Sequence, residues 1–293
     1  MPIATRRTWA TVISLVLALS TVTVTVPASA SSADIPDYDV VFDTSDNTSS
    51  NKGEDVTCPT GTRVLGTGAQ ILGPSGKVVI DEVIPTTYTV SAFGVETEAG
   101  TSSAWMIRVW AVCGDPDEAT RIVSREAPRN GLLPLTVTCD HPGEFMLGTG
   151  YQLDGAAGKA VVDYVKPQLN SVNGHATWIS SSAAPSWTLR MYAICAEDAP
   201  PGLWVYHKST VNTPDSTLPS KEIEVGCGAA GDRQVVLGTG FSVEDSIGTV
   251  PTTDITLDYL IPTSEKVEAR AAEVVPDGRY WNLVVYAICA FED

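Results

Sequence analysis

WMIRVWAVC, residues Trp105 to Cys113, returns as WTLRMYAIC from Trp187 to Cys195 and as WNLVVYAIC from Trp281 to Cys289. In all three, Trp stands eight residues before Cys and Ala two before it. That recurrence defines an internal repeat, and its β-branched and aromatic content predicts strands. In the first copy Trp105, Ile107, Val109, Ala111 and Cys113 share one face, while Trp110 and Val112 on the other are also apolar, which predicts cover on both sides near the strand's end.

Two further blocks recur upstream. VTCPTGTRVLGTG, VTCDHPGEFMLGTG and VGCGAAGDRQVVLGTG each place a Cys before a double-glycine strand. IDEVIP (Ile80 to Pro85), VDYVKP (Val162 to Pro167) and LDYLIP (Leu257 to Pro262) lie between that strand and the closing one. Each copy thus holds two cysteines at matching places, and symmetry favours Cys58 with Cys113, Cys139 with Cys195 and Cys227 with Cys289 among the fifteen possible connectivities. No C-x-x-C spacing suggests a metal, and no cofactor is implied.

Strand-like runs such as YDVVF, TRIVSRE and LWVYHKS precede the first Cys of each copy, giving about six strands per unit and no convincing amphipathic helix. The expected fold is all-β: three tandem antiparallel repeat units over residues 37–116, 117–200 and 201–293, with one internal disulfide each. Short joints favour close packing about a pseudo-threefold axis, as in a β-prism; a string of three small β-sandwiches is the alternative.

Residues 1–30 read as a signal peptide, because Arg6 and Arg7 precede an apolar run and PASA permits cleavage after Ala30; residues 31–36 form an N-terminal tail. Its removal takes the net charge from -17 to -19. Such a charge excludes nucleic acid as a plausible partner, and no second long apolar stretch suggests membrane insertion. A secreted, extracellular protein is expected.

The motifs CPTG, LGTG and YAIC resemble a repeat of secreted actinobacterial proteins, written Cys-Pro-x-Gly, then Leu-Gly-Gly-Gly, then Tyr-Ala-Ile-Cys. The first copy matches best; the other two carry CDHPG and CGAAG in place of the first motif. The resemblance spans the mature chain and implies secretion, β structure and disulfides, with no mechanism attached.

Glycines Gly66, Gly68, Gly148, Gly150, Gly238 and Gly240 form strips without Cβ atoms, and something must lie close upon them. Trp105, Trp187 and Trp281 are the expected covers. Asp81, Asp163 and Asp258, each four residues before a proline, are the candidate ligand residues for sugar or calcium, although a buried structural hydrogen bond to Thr67, Thr149 or Thr239 is the simpler reading. Tyr164 and Tyr259, beside two of these aspartates, suggest a stacking platform, with Glu82 in the first copy. The acidic clusters GDPDE, AED and FED read as solvated turns.

His141, His175 and His207 fall at unrelated places in the copies, and no nucleophile motif accompanies them, so no catalytic residue is assigned. The expected role is a non-catalytic binding or structural protein of the bacterial cell exterior, with an unknown extracellular protein or glycan as partner. A multivalent lectin is one alternative. An extracellular enzyme or enzyme inhibitor, with a site around Ser246 to Thr253, is another.

Overall fold

A computed structural model describes residues 35–115, 120–129, 133–179, 186–210, 218–228, 233–245, 254–276 and 280–291. These hold eighteen strands and no helix. The first copy supplies β1 (Asp39–Thr44), β2 (Lys52–Thr57), β3 (Arg63–Leu72), β4 (Val78–Pro85), β5 (Thr89–Glu96) and β6 (Met106–Gly114). The second supplies β7 (Thr120–Arg129), β8 (Leu135–Thr138), β9 (Phe145–Asp154), β10 (Ala160–Pro167), β11 (Ser171–Trp178) and β12 (Trp187–Ala196). The third supplies β13 (Trp204–Ser209), β14 (Ser220–Gly226), β15 (Gln234–Glu244), β16 (Ile255–Pro262), β17 (Lys266–Glu273) and β18 (Asn282–Phe291).

The strands form three six-stranded sheets, ordered β1-β6-β3-β16-β17-β14, β13-β18-β15-β10-β11-β8 and β2-β5-β4-β9-β12-β7. Every sheet takes three strands from one copy and three from another, so each copy is divided between two sheets. Three separate sandwiches are therefore ruled out. The alternation of Gly, Thr and apolar residues in β3, β9 and β15 explains why: these strands are buried on both faces and cannot lie at the rim of a small sandwich.

The double-glycine strands meet one another. A Cβ on Gly66 would overlap the Leu237 carbonyl oxygen and lie 2.9 Å from Gly238 Cα. One on Gly148 would overlap the Leu65 oxygen, 2.9 Å from Gly66 Cα, and one on Gly238 the Leu147 oxygen, 2.8 Å from Gly148 Cα. The second glycines are covered by the proline of the recurring IP or KP block: Pro262 over Gly68, Pro85 over Gly150 and Pro167 over Gly240. Each proline comes from a different copy than the glycine it covers.

Between the glycines a ring of hydrogen bonds closes. Thr67 Oγ1 donates to Thr149 O at 2.7 Å, Thr149 Oγ1 to Thr239 O at 2.8 Å and Thr239 Oγ1 to Thr67 O at 2.8 Å. All three threonines are buried. Thr67→Val keeps the shape but leaves a buried carbonyl without its donor, and should cost about 1 to 3 kcal/mol in urea denaturation, whereas Thr67→Ser should cost less.

The tryptophans lie elsewhere than expected. Trp105 packs over Gly73 and Gly94: a Cβ at either would come within 2.5 Å of Trp105 Cβ or 2.8 Å of its Cζ3. The LGTG strip is too closely occupied by backbone to admit an indole ring. Trp105 and Trp281 are fully buried and Trp187 nearly so.

Disulfides join Cys58 to Cys113, Cys139 to Cys195 and Cys227 to Cys289 across 55, 56 and 62 residues. Loops of that length correspond to about 4 kcal/mol each of stabilisation through the unfolded chain.

Candidate functional site

The three aspartates occupy one structural position. Each is the extra residue of a β-bulge in the strand paired with the fifth strand of its copy: the register shifts between Ile80 and Glu82, Val162 and Tyr164, and Leu257 and Tyr259. The bulge turns the carboxylate into the protein, and all three are buried. The cross-strand neighbour of the next residue is Phe93, His175 or Arg270.

Their partners differ accordingly. Asp258 accepts hydrogen bonds from Ser75 Oγ and, at 3.3 Å, from Gly76 N in the turn of the first copy, and its Oδ2 lies 3.4 Å from Arg270 Nε. Asp163 Oδ2 lies 2.6 Å from His175 Nδ1. Asp81 Oδ1 is buried without any hydrogen-bond partner. The turn GPSG (Gly73 to Gly76) that serves Asp258 is GAAG (Gly155 to Gly158) in the second copy, so Ala157 stands in place of the serine hydroxyl, and Phe93 offers no donor across the strand.

Burial pushes Asp81 up to about 7, helped by the nearby Glu82 and Asp154 carboxylates, and pushes Asp163 up to about 6 against the favourable His175 contact. Asp258 is also raised by burial, countered by Ser75, Gly76 and Arg270. The threonines expected to serve these carboxylates are instead engaged in their own ring. Among the described residues no group of three or more His, Cys, Asp or Glu is placed to hold a metal ion.

The tyrosine platform is covered by the protein's own side chains: His175 stacks on Tyr164 at 5.6 Å between ring centres, with Lys166 Nζ 4.8 Å above the same ring. His141 lies 3.3 Å from Glu144, and His207 packs against Tyr286. Residues 246–253, most of GDPDE and the end of FED lie outside the described residues, as does the segment 1–30. No protein-family model matches the chain, and no curated protein matches it either.

Sequence reasoning missed two buried lysines. Lys52 Nζ donates to Trp105 O at 2.7 Å and sits 4.2 Å above that ring; Lys221 donates to Trp281 O, 4.8 Å above its ring. Burial lowers both amines, and the indole nitrogens donate to Glu96 and Glu273. The signal was present: a Lys six residues before the first Cys in copies one and three, with Leu133 there in copy two.

Beside the threonine ring lies a cavity of about 10 Å³, room for one water at most. Two surface clefts are large enough for a small ligand. One of about 380 Å³ is lined by Thr97, Ile179 and Val274 from the three copies, with Glu98 and Asp254. The other, of about 430 Å³, lies in the first copy beside Cys58 and is lined by Arg63, Tyr88 and Asp115. Among the described residues no helix is long and apolar enough to cross a membrane.

Proposed function

We propose that this is a secreted, non-catalytic binding protein of the bacterial cell exterior, built as a prism-like closure of three repeat units about a pseudo-threefold axis. The observation that carries the reading is the contrast between an interior repeated three times and a periphery that is not. Gly, Thr, Pro, Trp and Cys recur at matching core positions. The bulge neighbours Phe93, His175 and Arg270 all differ, and of the outward residues Glu82 departs from Tyr164 and Tyr259.

A lectin with three equivalent sites would keep the outward residue and its cross-strand neighbour alike in all three copies, and no two copies here share both. Divergence on a rigid frame instead suits one partner engaged at one place, since a backbone closed by disulfides loses little conformational entropy on binding. The three disulfides support an oxidising, extracellular setting.

The test is sedimentation of the purified mature protein with isolated envelopes of the producing cell. Retention in the pellet, reduced by periodate oxidation of surface glycans or by protease treatment of surface proteins, is expected. Protein that stays in the supernatant with every envelope preparation overturns the reading.

A further inference from the structure

The cleft beside Cys58 differs in kind from the matching places in the other two copies. Tyr88 is located by its backbone oxygen, which accepts from Cys58 N at 2.8 Å; Asn170 does the same for Cys139 and Glu265 for Cys227. Counting from the double-glycine strand and from the closing Cys, Arg63 corresponds to Phe145 and Val235, and Asp115 to Glu197 and Phe291. Only the first copy thus brings a guanidinium, a phenol and a carboxylate to one opening.

In the second copy the neighbouring polar groups satisfy one another: Arg121 bonds Glu144 at 2.5 Å and also pairs with Asp140. In the third, the Phe291 ring lies against Gly202, and Gln234 bonds both Tyr206 and the Gly202 oxygen. In the first, among the described residues, neither the Arg63 side chain, the Asp115 carboxylate nor the Tyr88 hydroxyl has a hydrogen-bond or ion-pair partner, although all three line the same cleft. The Tyr88 side is 55% exposed, so a large aromatic face is left to solvent.

The frame around this opening is fixed. Thr62 N and Oγ1 both bond Pro59 O, Val64 N bonds Thr87 O at 3.0 Å, and Asp115 N bonds Pro36 O at 2.9 Å. Gly61, at φ 99°, leaves the turn bare: a Cβ there would meet nothing within 4 Å. The volume of about 430 Å³ falls within the range of small-ligand sites.

We propose that the Arg63–Tyr88–Asp115 cleft is a single binding site for a neutral saccharide. The chemistry follows from the three unpaired groups. An anionic ligand would satisfy Arg63 but meet Asp115 and the field of a chain with net charge -17; a cationic one would meet Arg63. A sugar hydroxyl both donates and accepts, so one ring can donate to Asp115 and accept from Arg63 while its C–H face lies on the Tyr88 ring. The proposal rests on the binding reading above and names its ligand class and location.

Cellotetraose, chitotetraose and mannotetraose, each at millimolar concentration, are the probes, with a tetramer of galacturonate as the anionic comparison and ligand-detected saturation-transfer NMR as the readout. Transfer to at least one neutral tetrasaccharide is expected. Tyr88→Ala and Arg63→Met should each weaken it about tenfold, and Asn170→Ala should leave it unchanged. The substituted side chains lie at the surface, and an unchanged melting temperature would confirm folding.

No transfer to any neutral probe, transfer to the galacturonate tetramer alone, or transfer that survives Tyr88→Ala overturns the proposal. Envelope sedimentation separates this failure from that of the broader reading: if the Tyr88→Ala protein still pellets with envelopes, the protein binds its partner elsewhere.

Discussion

Gly148→Ala should abolish soluble, folded protein, or lower its stability by more than about 4 kcal/mol where enough survives for urea denaturation. The added methyl would be driven into the Leu65 carbonyl oxygen and toward Gly66 Cα, with the Ile194 side chain 3.1 Å away on a third side. Two of those obstacles are backbone, which no rotamer change can move. Shifting β9 away would also stretch the bonds on either side of Thr149, which donates to Thr239 and accepts from Thr67. Gly66→Ala and Gly238→Ala should behave alike, because each meets the equivalent carbonyl of another copy. Gly226→Ala, at the exposed end of β14 where the nearest atom would be Glu265 O at 3.7 Å, is the control and should be tolerated within about 1 kcal/mol. Equal losses at Gly148 and Gly226 would show that glycine's chain entropy, rather than the meeting of strands, sets the cost.

These glycines mark the limit of what the sequence disclosed. Strand content, the repeat and the cysteine pairs were legible because each is written locally: Trp105 leads directly into the strand that carries Cys113, and two cysteines per copy leave little choice of pairing. A glycine says only that something approaches, and what approaches Gly66 is a strand carrying Leu237 and Gly238, from the far end of the chain. The tryptophan was the wrong candidate because the nearest prominent side chain in sequence is not the nearest in space. Strand exchange between sheets was equally hidden, since β4 meets β9 through only Glu82 with Gln152 and Val83 with Tyr151.

The aspartates repeat this lesson with a sharper consequence. Burial was legible from the alternation of IDEVIP; the partner was not, because it is set by a turn in another copy. Ser75, 183 residues from Asp258, had no recognisable link to it in the sequence. The cleft residues were hidden for the opposite reason. Arg63 holds a position that varies within a recurring block, Tyr88 and Asp115 lie outside those blocks, and a search for what the copies share passes over what only one possesses.

Asp81 should make the protein less stable at pH 8 than at pH 4. Its carboxyl is held up to about 7 in the folded chain, against 3.8 for an ordinary aspartate in water. Between those values the folded state keeps a proton that the unfolded state has released, so stability falls as pH rises from about 4 to 7 and levels off above. Three pH units of difference correspond to a loss on the order of 4 kcal/mol at Asp81. Asp163, held up to about 6, adds a smaller loss of the same sign that ends near pH 6. Asp81→Asn removes the buried charge, so at pH 8 the variant should exceed the parent by a few kcal/mol, while at pH 4, where the parent carries a proton there, the two should agree within about 1 kcal/mol. Asp258→Asn should show less gain at pH 8, because Ser75, Gly76 and Arg270 already stabilise that carboxylate and would lose its charge and one of its two acceptor oxygens. Urea denaturation of the three proteins at both pH values decides the matter. Parallel pH profiles for parent and Asp81→Asn would mean that water reaches the buried oxygen and keeps it ionised, and the orphaned carboxylate would then have no bearing on how the first two copies hold together.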